Sequence, residues 1–243
     1  MKKITIVGAG FLGSHVAEEL AKLFYSQDLF PYQFRIIDYD HWEDRNAANQ
    51  NVSLARAKTG EAKAVTCAEM AGQYGINNKA EAIVEKLTYD NMQDLLGDSE
   101  LILDLVDNIP TRQLLWAAGI SGGYGPVLHA GVSKTGNGLI MWSEKDFCTF
   151  PFRPQDVAGR VVVDDDANKE LPCKMYRYRT AGLVAVQAIA KATALYLGKD
   201  PWGLMDGAEQ ERMMTCWVTD VNSAKLQTDA EYLGEDFFPV AGV

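Results

Sequence analysis

Apolar positions in the first half of the chain fall into short β-rich runs separated by stretches of helical period. Ile4-Thr-Ile-Val7 is such a run, and Val16, Leu20, Leu23 and Phe24 then recur at the spacing of one helix face. The pattern predicts a strand and a helix ending near Phe24. After a loop containing Pro31, Phe34-Arg-Ile-Ile-Asp-Tyr-Asp40 reads as a second strand. His41 to Gln50 is polar and aperiodic, unlike a core helix. Gly60-Glu-Ala-Lys63 opens a helical run through Met70, Ala80 to Leu87 reads as a third strand, and Asn91 to Leu96 as a short helix. Leu101 to Asn108 has the continuous apolar character of a buried parallel strand and ends in two polar residues. Ile109 to Ile120 is helical, with Pro110 in the first turn, where proline is tolerated. Val127 to Val132 and Gly138 to Trp142 flank a glycine-rich turn and read as a strand pair.

Beyond Cys148 the pattern loosens. Gln155 to Arg179 is polar, carries the acidic run Asp164-Asp165-Asp166 and has no clear period. A stretch of that length inside a compact domain is functional or partly disordered. Thr180 to Leu197 resumes the core as a helix, Asp200 to Gly207 is a turn-rich connection, and Met213 to Val221 reads as a late strand. No structure is assigned to Glu231 to Val243. Strands alternating with helices at this rhythm predict an α/β fold, a Rossmann-like doubly wound, mostly parallel sheet with helices on both faces. A late antiparallel extension and a long crossover loop complete it. The expected organisation is one domain over 1–243: a nucleotide-binding core at 1–145, a crossover loop at 146–179, and a C-terminal helix and strands at 180–243.

Composition narrows the function. A net charge of −10 over 243 residues argues against nucleic-acid binding, which needs a clustered positive surface. Cys67, Cys148, Cys173 and Cys216 are widely spread with no C-x-x-C pair, and read as reduced thiols of a cytoplasmic protein. Met1-Lys-Lys before an apolar run imitates a signal peptide, but that run is the first strand and its glycine turn. The longest apolar helix, Ala181 to Leu197, carries Gln187 and Lys191 and is too short to span a bilayer, so no membrane partner is expected.

The candidate chemistry begins at Gly8-Ala-Gly10-Phe-Leu-Gly13, a G-x-G-x-x-G between a strand and a helix. In that context the first glycine permits a tight turn and the second lets backbone approach a phosphate. The third lets the helix sit close to the strand, while N–H groups at the helix start face the anion. Asp38 follows Gly13 by 25 residues, where a dinucleotide fold places the acid that takes a ribose hydroxyl. The glycine loop, the Asp38 to Lys63 segment, and Asp107-Asn108 with Arg112 all lie where strands should end. In a doubly wound sheet those carboxyl ends line one crevice. Against these roles stand plainer ones: a capping aspartate at 107, a turn-capping Asp38, a solvated Lys63. His129, in an apolar strand, reads as a satisfied core histidine, and Cys67 as a packing residue.

The succession G-x-G-x-x-G, Asp-x-Asp, Asn with Asn/Gln, Gly-x-x-Lys and Asp-Asn-x-x-x-Arg resembles the ThiF/MoeB/HesA superfamily. These are the ubiquitin-activating-type enzymes that adenylate the C-terminus of ubiquitin-like or sulfur-carrier proteins. The likeness runs from about Lys3 to Trp142 and touches Arg179-Thr-Ala-Gly182. It implies ATP and Mg²⁺ as cofactors, a homodimer, and a set of roles. Asp38 would hold the ribose, Asn46 and Gln50 would lie along the phosphates, and Lys63 would neutralise the triphosphate. Asp107 would hold Mg²⁺, with Asn108 and Arg112 shaping the site.

The chain departs from the family where an arginine usually follows the Asn by three residues; Asn49 stands there, bringing an amide and no charge, unless Arg45 or Arg56 substitutes. It also lacks the N-terminal arginine arm and the zinc-binding cysteine pairs of many relatives. Tyr178 occupies the place of a reactive cysteine; Cys173 lies five residues earlier, where Lys174 and Arg177 would favour a thiolate, against the plainer reading of an ordinary loop thiol. Two other readings stand beside adenylation: an NAD-dependent oxidoreductase, and a non-catalytic member kept as a binding or scaffolding subunit.

Overall fold

Ile4, Thr5, Ile6 and Val7 make β1 (Lys2–Val7) a strand of β-branched residues buried on both faces, as a central parallel strand requires. The computed structural model describes residues 2–26, 32–74, 80–132, 137–145, 147–148, 175–197, 217–220 and 225–227. Among these, β1 pairs in parallel with β2 (Tyr32–Ile37) and β4 (Ser99–Asp104). Outside them lie β3 (Glu81–Ile83), on β2, and β5 (Val127–Val132), on β4, both also parallel. The direction then reverses. β6 (Asn137–Glu144) is antiparallel to β5 and carries β7 (Phe147–Cys148) and β8 (Trp217–Asp220), with β9 (Lys225–Gln227) beyond. The order β3-β2-β1-β4-β5-β6-β8-β9 puts a topological switch between β1 and β4, where open sheets of this kind form a crevice.

Strand alternation assigns the two layers. Ile4, Ile6, Phe34, Ile36, Leu101 and Leu103 face α1 (Phe11–Ser26), α3 (Lys63–Gly72) and α6 (Met175–Tyr196). Val7, Ile37, Ile102 and Val127 face α4 (Met92–Leu96) and α5 (Ile109–Ser121). Leu20 and Phe24 of α1 are fully buried, each contributing about 1.5–3 kcal/mol relative to exposure. A 3-10 helix (Asp44–Ala48) and the single turn α2 (Leu54–Ala57) lie between β2 and α3.

The mostly parallel sheet and its antiparallel extension are those expected, but several boundaries move. The third strand keeps only Glu81–Ile83 of the expected 80–87: β2 ends opposite Ile83, and Val84, Glu85 and Lys86 are exposed. The strand expected over 101–108 stops at Asp104, because its partner β1 turns away at Gly8, whose φ is 95°. Asp107 and Asn108 therefore sit in the following loop. The helix expected from Thr180 begins at Met175, so residues 175–179 of the expected crossover loop are helical. β8 occupies part of the expected 213–221 strand. Asp164 to Asp166, Cys173, Cys216 and the tail from Glu231 lie outside the described residues. No helix among the described residues is long and apolar enough to cross a membrane.

Candidate functional site

The glycine loop is fixed by close approach at two points. A Cβ on Gly13 would lie 1.8 Å from the carbonyl oxygen of Gly8, so only glycine lets α1 start this close to β1. A Cβ on Gly8 would lie 2.9 Å from the Leu105 carbonyl carbon, which brings the β4–α5 loop against the turn. Gly10, by contrast, faces open space, with nothing within 4 Å of where its Cβ would be. A bare backbone beside the start of a helix is a cradle that a phosphate group fits.

Asp38 closes the loop from β2. One carboxylate oxygen accepts the Ala9 N–H at 2.6 Å and the other accepts the Asp40 N–H at 2.7 Å. Burial pushes its pKa up; the two N–H donors and the Lys63 charge offset that only in part, so it stands above the ordinary carboxylate range. Lys63 is held at the start of α3 by its own N–H, donated to the Asp40 carbonyl at 2.9 Å, and by the bridge between His41 and Ala62. Its ammonium is 3.2 Å from the Asp40 carboxylate and 5.9 Å from the centre of the Trp42 ring. Trp42 is in turn anchored by its indole N–H, which donates to Thr66 Oγ1 at 2.8 Å.

The β4–α5 loop carries Asp107 exposed to solvent, while Asn108 caps α5 by accepting the Thr111 N–H at 3.0 Å. Arg112 points back under this loop. It donates to the Val106 carbonyl and, at 2.8 Å, to the Ala130 carbonyl, with its Nε 3.7 Å from Asp104. Beneath it runs a buried polar chain across three strands. Asp104 lies 2.6 Å from Nδ1 of His129, whose Nε2 lies 2.8 Å from Ser143 Oγ. All three are at most 2 % exposed, which closes them to solvent and substrate. Burial raises the Asp104 pKa, but the Arg112 charge and the His129 contact outweigh it and the net direction is down. His129 is thus a satisfied core histidine.

The segment after the 3-10 helix folds over α1. Asn46 accepts the Glu43 N–H at 2.8 Å, and the Asn49 carbonyl accepts from His15 Nε2 at 3.2 Å. Asn51 donates to Ser14 Oγ through its backbone, at 3.0 Å, and to the Ser14 carbonyl through its side chain, at 3.3 Å. Between this segment, α1, α3 and α6 lies a cavity of about 450 Å³, lined by His15, Gln50, Arg56, Thr66, Met70 and Arg179 among others. Gln50 Oε1 is buried there without a hydrogen-bond partner. Burial, assisted by Arg179, lowers the pKa of His15 against the pull of the Asn49 carbonyl, so the ring is neutral near pH 7.

The structure thus brings Gly8, Gly10, Gly13, Asp38 and Lys63 together at the carboxyl ends of β1 and β2, with the Asp107 loop abutting Gly8. Asn49 and Gln50 lie one helical turn away, over His15. Arg112 serves the loop's backbone, and Cys173 is not among the described residues. Neither Arg45, paired with Glu43, nor Arg56, paired with Glu61 and Glu69, stands uncommitted. No group of three or more His, Cys, Asp or Glu side chains suited to a metal occurs among the described residues. A lone carboxylate at Asp107 suits Mg²⁺ carried mainly by nucleotide phosphates. The cavity escaped the sequence reading, as did Asp40 and Arg179 as site residues; the first left a trace in the Asp-x-Asp motif and the second in the Arg179-Thr-Ala-Gly182 stretch.

Known proteins locate this arrangement. The sequence matches the ThiF family over residues 1–226. No curated protein matches it as a sequence relative. Among solved structures it is similar to Escherichia coli MccB, with a TM-score of 0.67 at 15% identity over 94% of this chain and 61% of that one. MccB with ATP gives 0.62 at 14% identity, over 94% and 62%. MccB with AMPCPP and MccA gives 0.62 at 13%, over 94% and 63%. The chain therefore spans a little under two thirds of the length of these structures. With the family pattern covering all but the last residues, and its glycine loop, Asp38 and Lys63 meeting at one end of the sheet, the chain belongs to the ThiF family.

Proposed function

We propose that the chain is an ATP-dependent adenylyltransferase that activates the C-terminal carboxylate of a ubiquitin-like or sulfur-carrier protein. The observation that carries this reading is the meeting of Gly10, Asp38 and Lys63 at the mouth of the sheet. It is supported by family membership and by likeness to MccB, which has been solved with ATP. Asp38 accepts a ribose hydroxyl with lone pairs left over from Ala9 and Asp40. The glycine-loop amides take the phosphates, and Lys63 leaves Asp40 for the triphosphate. One carboxylate oxygen of the carrier attacks the α-phosphorus, the bond from that phosphorus to the bridging oxygen breaks, and pyrophosphate leaves with its electrons. Positioning and charge do the catalysis. Asp107 would hold Mg²⁺ together with the phosphates, and the ion would supply charge neutralisation there. Asn46, Asn49 and Gln50 line the approach, and Asn108 and Arg112 hold the Asp107 loop. The active form is a cytoplasmic homodimer, and Cys173 is the site of any later thioester or persulfide step.

Pyrophosphate exchange into ATP, stimulated by the carrier protein, is the expected result. No exchange with any candidate carrier, together with no ATP binding, removes the proposal. Membership of the ThiF family sets the nicotinamide reading aside. The non-catalytic reading keeps one specific support: Asn49 is neutral, and Arg45 and Arg56 are committed to carboxylates. ATP binding without adenylate formation is its signature.

A further inference from the structure

The cavity over α1 needs a cation if phosphate oxygens enter it, and its walls supply a clear candidate. Arg56 lies there with Glu61 and Glu69 both on its guanidinium, so its charge is spent. His15 is driven neutral by burial. Lys63 lies outside the cavity's lining and is paired with Asp40. Arg179, in the second turn of α6, lines the same cavity and makes one hydrogen bond among the described residues, from Nη1 to the Ala48 carbonyl at 3.1 Å. A guanidinium has five N–H donors in a planar fork suited to phosphate oxygens, so donors remain after that bond.

Its position is fixed from two sides. The Ala48 carbonyl orients the guanidinium beside Asn49, and Gly182, one turn on, lets α6 close against α1: a Cβ there would lie 1.9 Å from a ring carbon of Phe11. Ser14 ties the wall of the cavity to the glycine loop. That residue donates its N–H to the Gly10 carbonyl and takes two hydrogen bonds from Asn51, a cavity residue. A chain of phosphates that starts at Gly10 and follows the first turns of α1 runs toward this space.

We propose that Arg179 is a phosphate-binding residue that grips the terminal phosphates of ATP from α6, supplying the charge that Asn49 does not. This rests on the reading of the site as an ATP site. Titration calorimetry on the full chain with Mg²⁺, using ATP and AMP separately, tests it. Arg179→Ala is expected to weaken ATP at least ten-fold and to leave AMP within two-fold, because AMP lacks the phosphates Arg179 would hold. Arg179→Gln, which can still donate to Ala48, should behave like Arg179→Ala, and adding Asn49→Arg to Arg179→Ala should recover much of the ATP affinity. Wild-type-like ATP affinity in Arg179→Gln, or equal weakening of ATP and AMP in a variant with an unchanged melting profile, overturns the assignment while leaving the ATP site intact. A wild-type chain that binds neither nucleotide overturns both readings.

Discussion

Replacing Asp104 with Asn tests whether the buried polar chain under the β4–α5 loop holds the structure through charge. Asp104 is fully buried, takes a 2.6 Å contact from His129 Nδ1, lies 3.7 Å from Arg112 Nε and accepts the Val106 N–H at 3.3 Å. The amide keeps the shape and one acceptor but turns an NH₂ toward groups that themselves donate. Losing one partner of a buried charge pair costs about 3–5 kcal/mol, and losing a hydrogen bond to a charged group about 1.5–3 kcal/mol. Arg112 retains two backbone carbonyls, which places Asp104→Asn near the overlap, at about 3 kcal/mol. At about 2–4 °C per kcal/mol for a chain of this size, the melting temperature should fall by roughly 6–12 °C.

Urea unfolding at several pH values provides the assay. The folded-state pKa of Asp104 lies below its unfolded value of about 3.9. Its stabilisation is therefore fully present above about pH 4 and disappears as pH falls through the lower folded value. The gap between wild type and Asp104→Asn should stay constant from pH 8 to 5 and shrink below about pH 4. A loss under about 1 kcal/mol at pH 7, or a gap that widens in acid, refutes the reasoning.

Other expectations follow from the same geometry. Gly13→Ala places a methyl 1.8 Å from the Gly8 oxygen, so α1 must shift; a stability loss of about 1–3 kcal/mol in urea unfolding and weakened ATP binding by calorimetry are expected together. Lys63→Ala should abolish carrier-stimulated pyrophosphate exchange while leaving the melting temperature within a few degrees, because the one ion pair its ammonium makes among the described residues is with the half-exposed Asp40 carboxylate. Burial pushes the Cys67 thiol up to about 12, so peptide-level mass spectrometry at pH 8 should show Cys67 unlabelled by iodoacetamide until denaturant is added.

Much of the parallel half was legible because it is written locally. β-branched runs, a helix face repeating at Val16, Leu20 and Phe24, and glycines whose need for space is severe all follow from short-range rules. What was missed depends on partners distant in sequence. Leu101-Ile-Leu-Asp104 looks continuous because both faces are covered, so nothing local marks Asp104 as the residue that meets His129 and Ser143. The strand's end is dictated by Gly8, almost a hundred residues earlier. The start of α6 was hidden in Met175-Tyr-Arg-Tyr-Arg179, where polar residues mask helical period. Lys63 was recognised by placement, yet its pairing with Asp40 arises only when the His41 and Ala62 backbones meet.

The return of α6 to α1 has a practical consequence for anyone wishing to cut this chain. Ala185, Val186, Ile189 and Ala190 share one apolar cluster with Val16, Leu20 and Phe24, so the first helix of the amino-terminal half is roofed by residues from late in the sequence. A fragment ending near residue 145 would expose that greasy stripe along the helix that carries the glycine loop. The amino-terminal half is therefore not a cassette that can be grafted elsewhere, and exchanges between relatives should carry both helices as one unit.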